Sequence, residues 1–378
     1  MGFTRHVMRN CSMLALSLAL AFLFFSASTS QAQNFPQGPP PVMPTPKPKP
    51  PPPPKDEDYE VVRVTSNLVV VPVSVSDAAG QPVLGLKATD FHLDEEGRAQ
   101  QISEIGDPEQ TPLDIAILLD VSGSVDARFE FEKTAAASFL KRVLKTDDRA
   151  AVFAIDQTPR LEQVRDTAER AAVRLLSMRS AKGATAFYDS VIAASRYLAQ
   201  NTPPQRRRVI VVISDGEDNF SNRTREIELA TYRSMKSDDG PLNKQRRDQL
   251  VRLRDYVQQQ VLLDVQRELQ KAEVVFYSIN PSGEALRLNL PGVRAQEGMA
   301  RLAQTTGGNA FVPDKLEQLE SVFRQITAEL RSQYLIQYYS NNESTPNKFL
   351  RIKVSVPAQP AYKIRAREGY YPKTANRK

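Results

Sequence analysis

Four near-continuous apolar runs constrain this 378-residue chain more than any other feature: residues 115–119, 150–155, 209–213 and 274–279. A strand with one wet face alternates apolar and polar residues. A strand apolar on both faces is covered on both, as in parallel sheets. Helical patterns separate the runs, over residues 127–144, 163–177, 187–200, 295–304 and 316–330. Strands alternating with helices predict a doubly wound, Rossmann-like α/β domain over 111–331, a mostly parallel sheet with helices on both faces. Gly307-Gly308 closes one helix, and Ala310-Phe311-Val312 forms a short last strand.

The flanks have a different rhythm. Val69, Val71, Val73 and Val75 alternate with Val70, Pro72, Ser74 and Ser76, a period of two that marks one buried face. Phe91 and Leu93 begin another strand that turns near Glu96-Gly97. Near the far end, Tyr334 to Tyr339 reads as a strand, as do the alternations through Leu350, Ile352, Val354 and Val356 and through Tyr362, Ile364 and Ala366. Residues 59–110 hold too few strands for a sandwich alone, and unpaired strand edges are a liability. They are expected to pair with residues 332–372 in one discontinuous β-sandwich into which the α/β domain is inserted.

Arg5 and Arg9 precede an apolar run from Met13 to Phe25, which ends in Ser30-Gln31-Ala32. That pattern predicts a cleavable secretory signal over 1–32 and an exported protein, in the periplasm, the cell envelope or outside the cell. A retained N-terminal anchor is the alternative. Cys11, the sole cysteine, falls inside the signal, so no disulfide is expected after cleavage. Residues 33–58 are dominated by proline and read as a semi-rigid linker. Residues 373–378 form a polar tail.

The formal charge is +6, and two of the arginines lie in the signal. Basic residues are interleaved with acidic ones, whereas nucleic-acid binding calls for a concentrated basic stripe. Arg206-Arg207-Arg208, directly before an apolar strand, is the exception and reads as a solvated strand entrance.

The first apolar run ends in Asp120-Val121-Ser122-Gly123-Ser124, and the third in Ser214-Asp215-Gly216. Ligands of open α/β sheets bind beyond the carboxyl ends of strands where strand order reverses. If the two runs are neighbours there, Asp120 and Asp215 converge, and the Gly183-Ala184-Thr185-Ala186 loop can add a hydroxyl. Two carboxylates and three hydroxyls are hard oxygen donors, suited to magnesium, calcium or manganese rather than zinc. So few charges leave a divalent ion under-neutralised, with a position open to an external carboxylate. Helix capping by Asp120 and Ser122, and a plain turn at Asp215-Gly216, are the bland alternatives.

Asp-x-Ser-x-Ser after a buried strand, a later Thr and a later Ser-Asp-Gly resemble the metal-ion-dependent adhesion site of von Willebrand factor A domains. The resemblance covers about 111–331. It implies direct coordination by Ser122 and Ser124, direct or water-mediated coordination by Thr185, and largely water-mediated coordination by Asp120 and Asp215. The flanking β segments, with Asp90-Phe91 and Arg367-Glu368-Gly369-Tyr370-Tyr371, are similar to a group of exported bacterial proteins related to these domains.

One departure from that family is a helical insertion over 222–272, broken at Asp239-Gly240-Pro241. Its second helix, over about 243–271, carries an apolar stripe of Leu250, Leu253, Val257, Val261, Val265 and Leu269, which reads as packing rather than a docking face.

Together these features favour a binding module that uses one divalent ion, magnesium first, to capture an Asp or Glu of a partner protein. An envelope component with a vestigial site is the alternative. A metal-assisted hydrolase is less favoured. Beyond the signal the chain has one histidine, His92, and it lacks the common protease, esterase and nucleotide-binding motifs. Glu217 or Asp218 are the acids a hydrolytic base would require.

Overall fold

The structure, a computed structural model, describes residues 68–122, 126–181, 183–222, 224–226, 229, 233, 244–283, 290–342 and 348–372. The signal, the linker, Ser124, the 239–241 break and the tail lie outside the described residues. The centre is a six-stranded sheet built from β5 (Leu113–Asp120), β6 (Arg149–Ile155), β7 (Arg160–Asp166), β8 (Arg207–Ile213), β9 (Val274–Ile279) and β10 (Ala310–Phe311). Its order is β10-β9-β8-β5-β6-β7, and only the β6–β7 pair is antiparallel. β5 is buried at every position, as the unbroken apolar run requires.

Helices cover both faces. On one, α1 (Asp126–Val143), α2 (Ala168–Ser177) and α6 (Leu319–Ser332) pack on the odd-numbered side chains of β5: Leu113, Ile115, Ile117 and Leu119. On the other, α3 (Phe187–Asn201), α4 (Lys244–Lys271) and α5 (Leu290–Thr306) pack on Ala116 and Leu118. The period of two along a strand thus distributes one sequence run between two cores. Gly307 and Gly308 end α5: Gly307 has φ +83°, and a Cβ on Gly308 would stand 1.9 Å from the Phe276 carbonyl oxygen. The turn needs glycine both for its left-handed backbone and for its approach to β9.

Two central elements differ from the sequence reading. Residues 163–166 are not helical; they belong to edge strand β7, where Gln163 faces Val152 and Asp166 faces Ala150. The helix begins only after Thr167, whose hydroxyl accepts from the Arg170 amide. The apolar stripe of the 222–272 segment, expected to pack along its length, does so over only part of it. Val261, Val265 and Leu269 of α4 are fully buried in the same core as α3, whereas Leu253 is half exposed. The C-terminal half of α4 is a framework helix, and the apolar stripe loses its cover towards the N-terminal half.

Outside the α/β domain lie two four-stranded sheets. One has the order β13-β1-β11-β4, from Lys363–Ala366, Leu68–Ser76, Tyr334–Tyr339 and Ile102–Gly106. The other is β14-β12-β2-β3, from Gly369–Tyr370, Leu350–Ser355, His92–Glu95 and Arg98–Ala99. Each sheet mixes strands from both ends of the chain, and the two share one core that includes Val71, Leu93, Ile336 and Ile352. Glu95 is fully buried there, accepting from Ser340 at 2.6 Å, Tyr370 at 3.1 Å, Tyr338 and Asn342. A buried carboxylate is tolerated because several donors replace its water.

Arg206-Arg207-Arg208 is a further correction. Arg207 is buried and Arg206 and Arg208 are partly buried, rather than solvated. Arg206 pairs with Asp114, and Arg207 donates to the carbonyl oxygens of Leu330 at 2.6 Å and Pro108 at 2.8 Å. Arg207 anchors the amino end of the sheet to the chain that leads to and from the sandwich.

Candidate metal centre

β5 and β8 are adjacent, and the chain leaves them in opposite directions across the sheet, β5 towards β6 and β8 towards β9. Their carboxyl ends therefore flank the reversal point where α/β sheets take ligands. Asp120 closes β5 and is only 7% exposed. Its Oδ1 accepts from the Ser122 hydroxyl at 2.7 Å and the Ser122 amide at 3.0 Å. Its Oδ2 accepts from the Ser214 hydroxyl at 2.6 Å. Ser122 Oγ and Thr185 Oγ1 are 2.6 Å apart. One hydrogen-bonded chain thus runs Ser214–Asp120–Ser122–Thr185 and joins both strand ends to the small-residue loop.

That loop is held from two sides. The Ala181 amide donates to the Val121 carbonyl at 2.7 Å, and Ala186 N donates to the Asp156 carbonyl at 2.9 Å. The Thr185 amide donates to Asn219 Oδ1 at 2.7 Å, and the Asn219 and Phe220 amides return bonds to the Thr185 carbonyl. The hydroxyl of Thr185 is thereby placed by the segment that follows Asp215. Asn219 has no motif signal in the sequence. Ser214 stands inside the Ser-Asp-Gly motif, but its bond to Asp120 was not legible.

Asp215 lies beyond β8, where its Oδ1 accepts from the Glu217 amide at 3.1 Å and Gly216 turns with φ +77°. Its charge acts on Asp120 and on Glu217. Burial is the main force on Asp120 and pushes its carboxyl up to about 6, against the lowering effect of bonds from Ser122 and Ser214, with Asp215 adding a further rise. Glu132 on α1 is pushed to about 7 by burial, with Arg128 opposing and Asp120 and Asp215 contributing. A divalent cation between the acids would reverse this balance, because opposite charge favours the ionised form.

The donor set fits such an ion. Asp120, Ser122, Thr185 and Asp215 offer hard oxygens only, and among the described residues no group of three or more His, Cys, Asp or Glu forms a metal site of another kind. Asp218 is otherwise engaged: it accepts from the Tyr188 amide at 3.2 Å and from the Ser221 and Thr224 hydroxyls. Its role is to fasten the loop to α3. His92 is exposed in the sandwich, 3.1 Å from Asp94.

Residues 115–217 match the von Willebrand factor type A domain family, and the central α/β domain of this chain is a von Willebrand factor A domain. Domains of this class generally serve as interaction modules. An uncharacterized protein of Synechocystis is 30% identical over 128 residues, 32% of this chain and 30% of that relative. The chain therefore spans under a third of its curated relative. Among solved structures, an aerotolerance-related membrane protein of Bacteroides fragilis is 16% identical, covering 58% of this chain and 98% of its own, with TM-score 0.36. A von Willebrand factor type A protein of Catenulispora acidiphila is 14% identical, covering 71% of this chain and 51% of its own, with TM-score 0.40.

Proposed function

We propose that the protein is an exported binding module that holds one divalent ion, magnesium first, through Asp120, Ser122, Ser124, Thr185 and Asp215, and captures an acidic residue of a partner protein. The observation that carries this reading is the Ser214–Asp120–Ser122–Thr185 chain at the carboxyl ends of β5 and β8. Its hydroxyls and its desolvated carboxylate are hard donors gathered at one point by the fold, which lowers the ordering cost of binding an ion. A coordination number of six or more exceeds the five side chains, so a position stays open to an external ligand. A partner's Asp or Glu supplies the remaining ligand.

The engagement of Asp218 by three donors removes one of the two candidates for a hydrolytic base and favours binding over catalysis. Export rests on the basic, apolar and small-residue pattern of residues 1–32. Among the described residues no helix is long and apolar enough to cross a membrane.

Pull-down from envelope extracts with the full chain and its Asp120→Asn variant tests the capture step. Partners retained in magnesium and released by chelator, and absent from the variant, are the expected result. Retention indifferent to both changes would overturn it.

A further inference from the structure

The amino end of the six-stranded sheet faces the sandwich across a cleft of about 810 Å³, within the size range of small-molecule sites. This cleft is independent of the metal centre, which lies at the opposite end of the same strands.

Its charge is one-sided. Arg207, Arg208 and Arg367 line it together with a single acid, Glu273, which stands 3.6 Å from Arg208 and 3.5 Å from Arg367. Arg206 also lines the cleft, but Asp114 takes its charge. Arg207 is 7% exposed and forms no ion pair among the described residues; its terminal nitrogens meet carbonyl oxygens only. Burial, with the Arg331 charge nearby, lowers its guanidinium to about 10, so the fold carries this cation at a cost.

Hydrogen bonding is also incomplete. The Nε–H groups of Arg207, Arg208 and Arg367 are buried and bond to nothing among the described residues. Buried donors are as a rule paired, and these three leave unmet hydrogen-bonding capacity on guanidinium groups beside the cleft, while the terminal nitrogens of Arg208 and Arg367 donate to Ala272, Thr202, Glu273 and Val70. Guanidinium forks match carboxylate and phosphate oxygens. The apolar part of the lining comes from exposed Val70 on β1, whose carbonyl accepts from Arg367 at 2.9 Å, and from buried Leu335 on β11.

We propose that this cleft binds an amphipathic oxyanion, with a carboxylate or phosphate head beside Arg207, Arg208 and Arg367 and an apolar body against Val70 and Leu335. Calorimetric titration of the full chain with octanoate, octanol and inorganic phosphate tests both halves of the ligand. Octanoate should bind saturably at one site, at least about tenfold more tightly than either single-feature probe, since each buried methylene adds to affinity. Arg208→Gln should weaken octanoate by about tenfold, as loss of a charge-assisted contact does. Val70→Asp places a carboxylate in the cleft at an exposed position and should weaken it further, with thermal melting confirming that both variants fold. Absence of saturable octanoate binding, or equal binding by both folded variants, overturns the site. Phosphate as tight as octanoate overturns the apolar body, and octanol as tight overturns the anionic head.

Discussion

The two ends of the central sheet treat buried acids in opposite ways. At the amino end, Asp114 meets Arg165 and Arg206, and Asp148 meets Arg331 at 2.8 Å. At the carboxyl end, Asp120 receives hydroxyl and amide donors, and its carboxyl rises to about 6. Similar burial thus has different chemical outcomes. A carboxylate matched to guanidinium is finished as a structural tie. One matched only to neutral donors keeps an electrostatic demand that an external cation can meet.

The largest expected effect separates these roles. Asp114→Ala strands two arginines in a buried setting and should cost about 3–5 kcal/mol in urea unfolding. Asp120→Asn keeps the shape and removes an unfavourable buried charge, so in chelator near neutral pH its stability should equal or exceed that of the native chain. A comparable loss in both variants would erase the contrast.

The pH response comes next. The folded values of Asp120 and Glu132, about 6 and about 7, lie above their ordinary values of 3.8 and 4.5. The fold therefore binds more protons than the unfolded chain between about pH 4 and 7, and these groups make stability fall as pH rises through that window. The Asp120 contribution is about 3 kcal/mol. In chelator the protein should be more stable at pH 5 than at pH 7.5. Magnesium should reduce the difference by holding Asp120 ionised, and Asp120→Asn should remove that residue's share. Urea melts at both pH values decide it, and stability rising with pH in chelator would contradict the burial of Asp120 as its controlling force.

Much of the carboxyl end was legible in sequence. A buried run ending in Asp120, followed by Ser122 and later by Thr185 and Ser214-Asp215-Gly216, identifies strand ends and donor types together. What stayed hidden depends on distant chain. Asp120 reads as a strand-end donor, but the Ser214 hydroxyl that bonds it comes from the end of another strand. Arg207 reads as solvated because its acceptors are 99 and 123 residues away, at Pro108 and Leu330. Residues 163–166 satisfy a helical pattern locally, and only pairing with β6 makes them strand. Local periodicity carries no information about such partners.

Two smaller effects sharpen the comparison. Thr185→Ala removes one neutral donor and should weaken magnesium binding about tenfold or less, at most about 1.4 kcal/mol, as isothermal titration would show. A loss as large as that of Asp120→Asn would assign Thr185 more than one donor's work. At the amino end, the Lys145–Glu109 pair is about half exposed. Glu109→Ala should change urea stability by less than about 1 kcal/mol, because solvent screens such pairs. A larger cost would mean that charge pairing rather than burial distinguishes this end.

Calorimetric titration of magnesium into the native chain and into Asp120→Asn, at pH 7.5, is the most direct measurement. The expected result is saturable binding of one ion by the native protein and none by the variant, with both proteins folded. Equal magnesium binding by the two proteins, or none by the native chain, would contradict a metal centre built on Asp120.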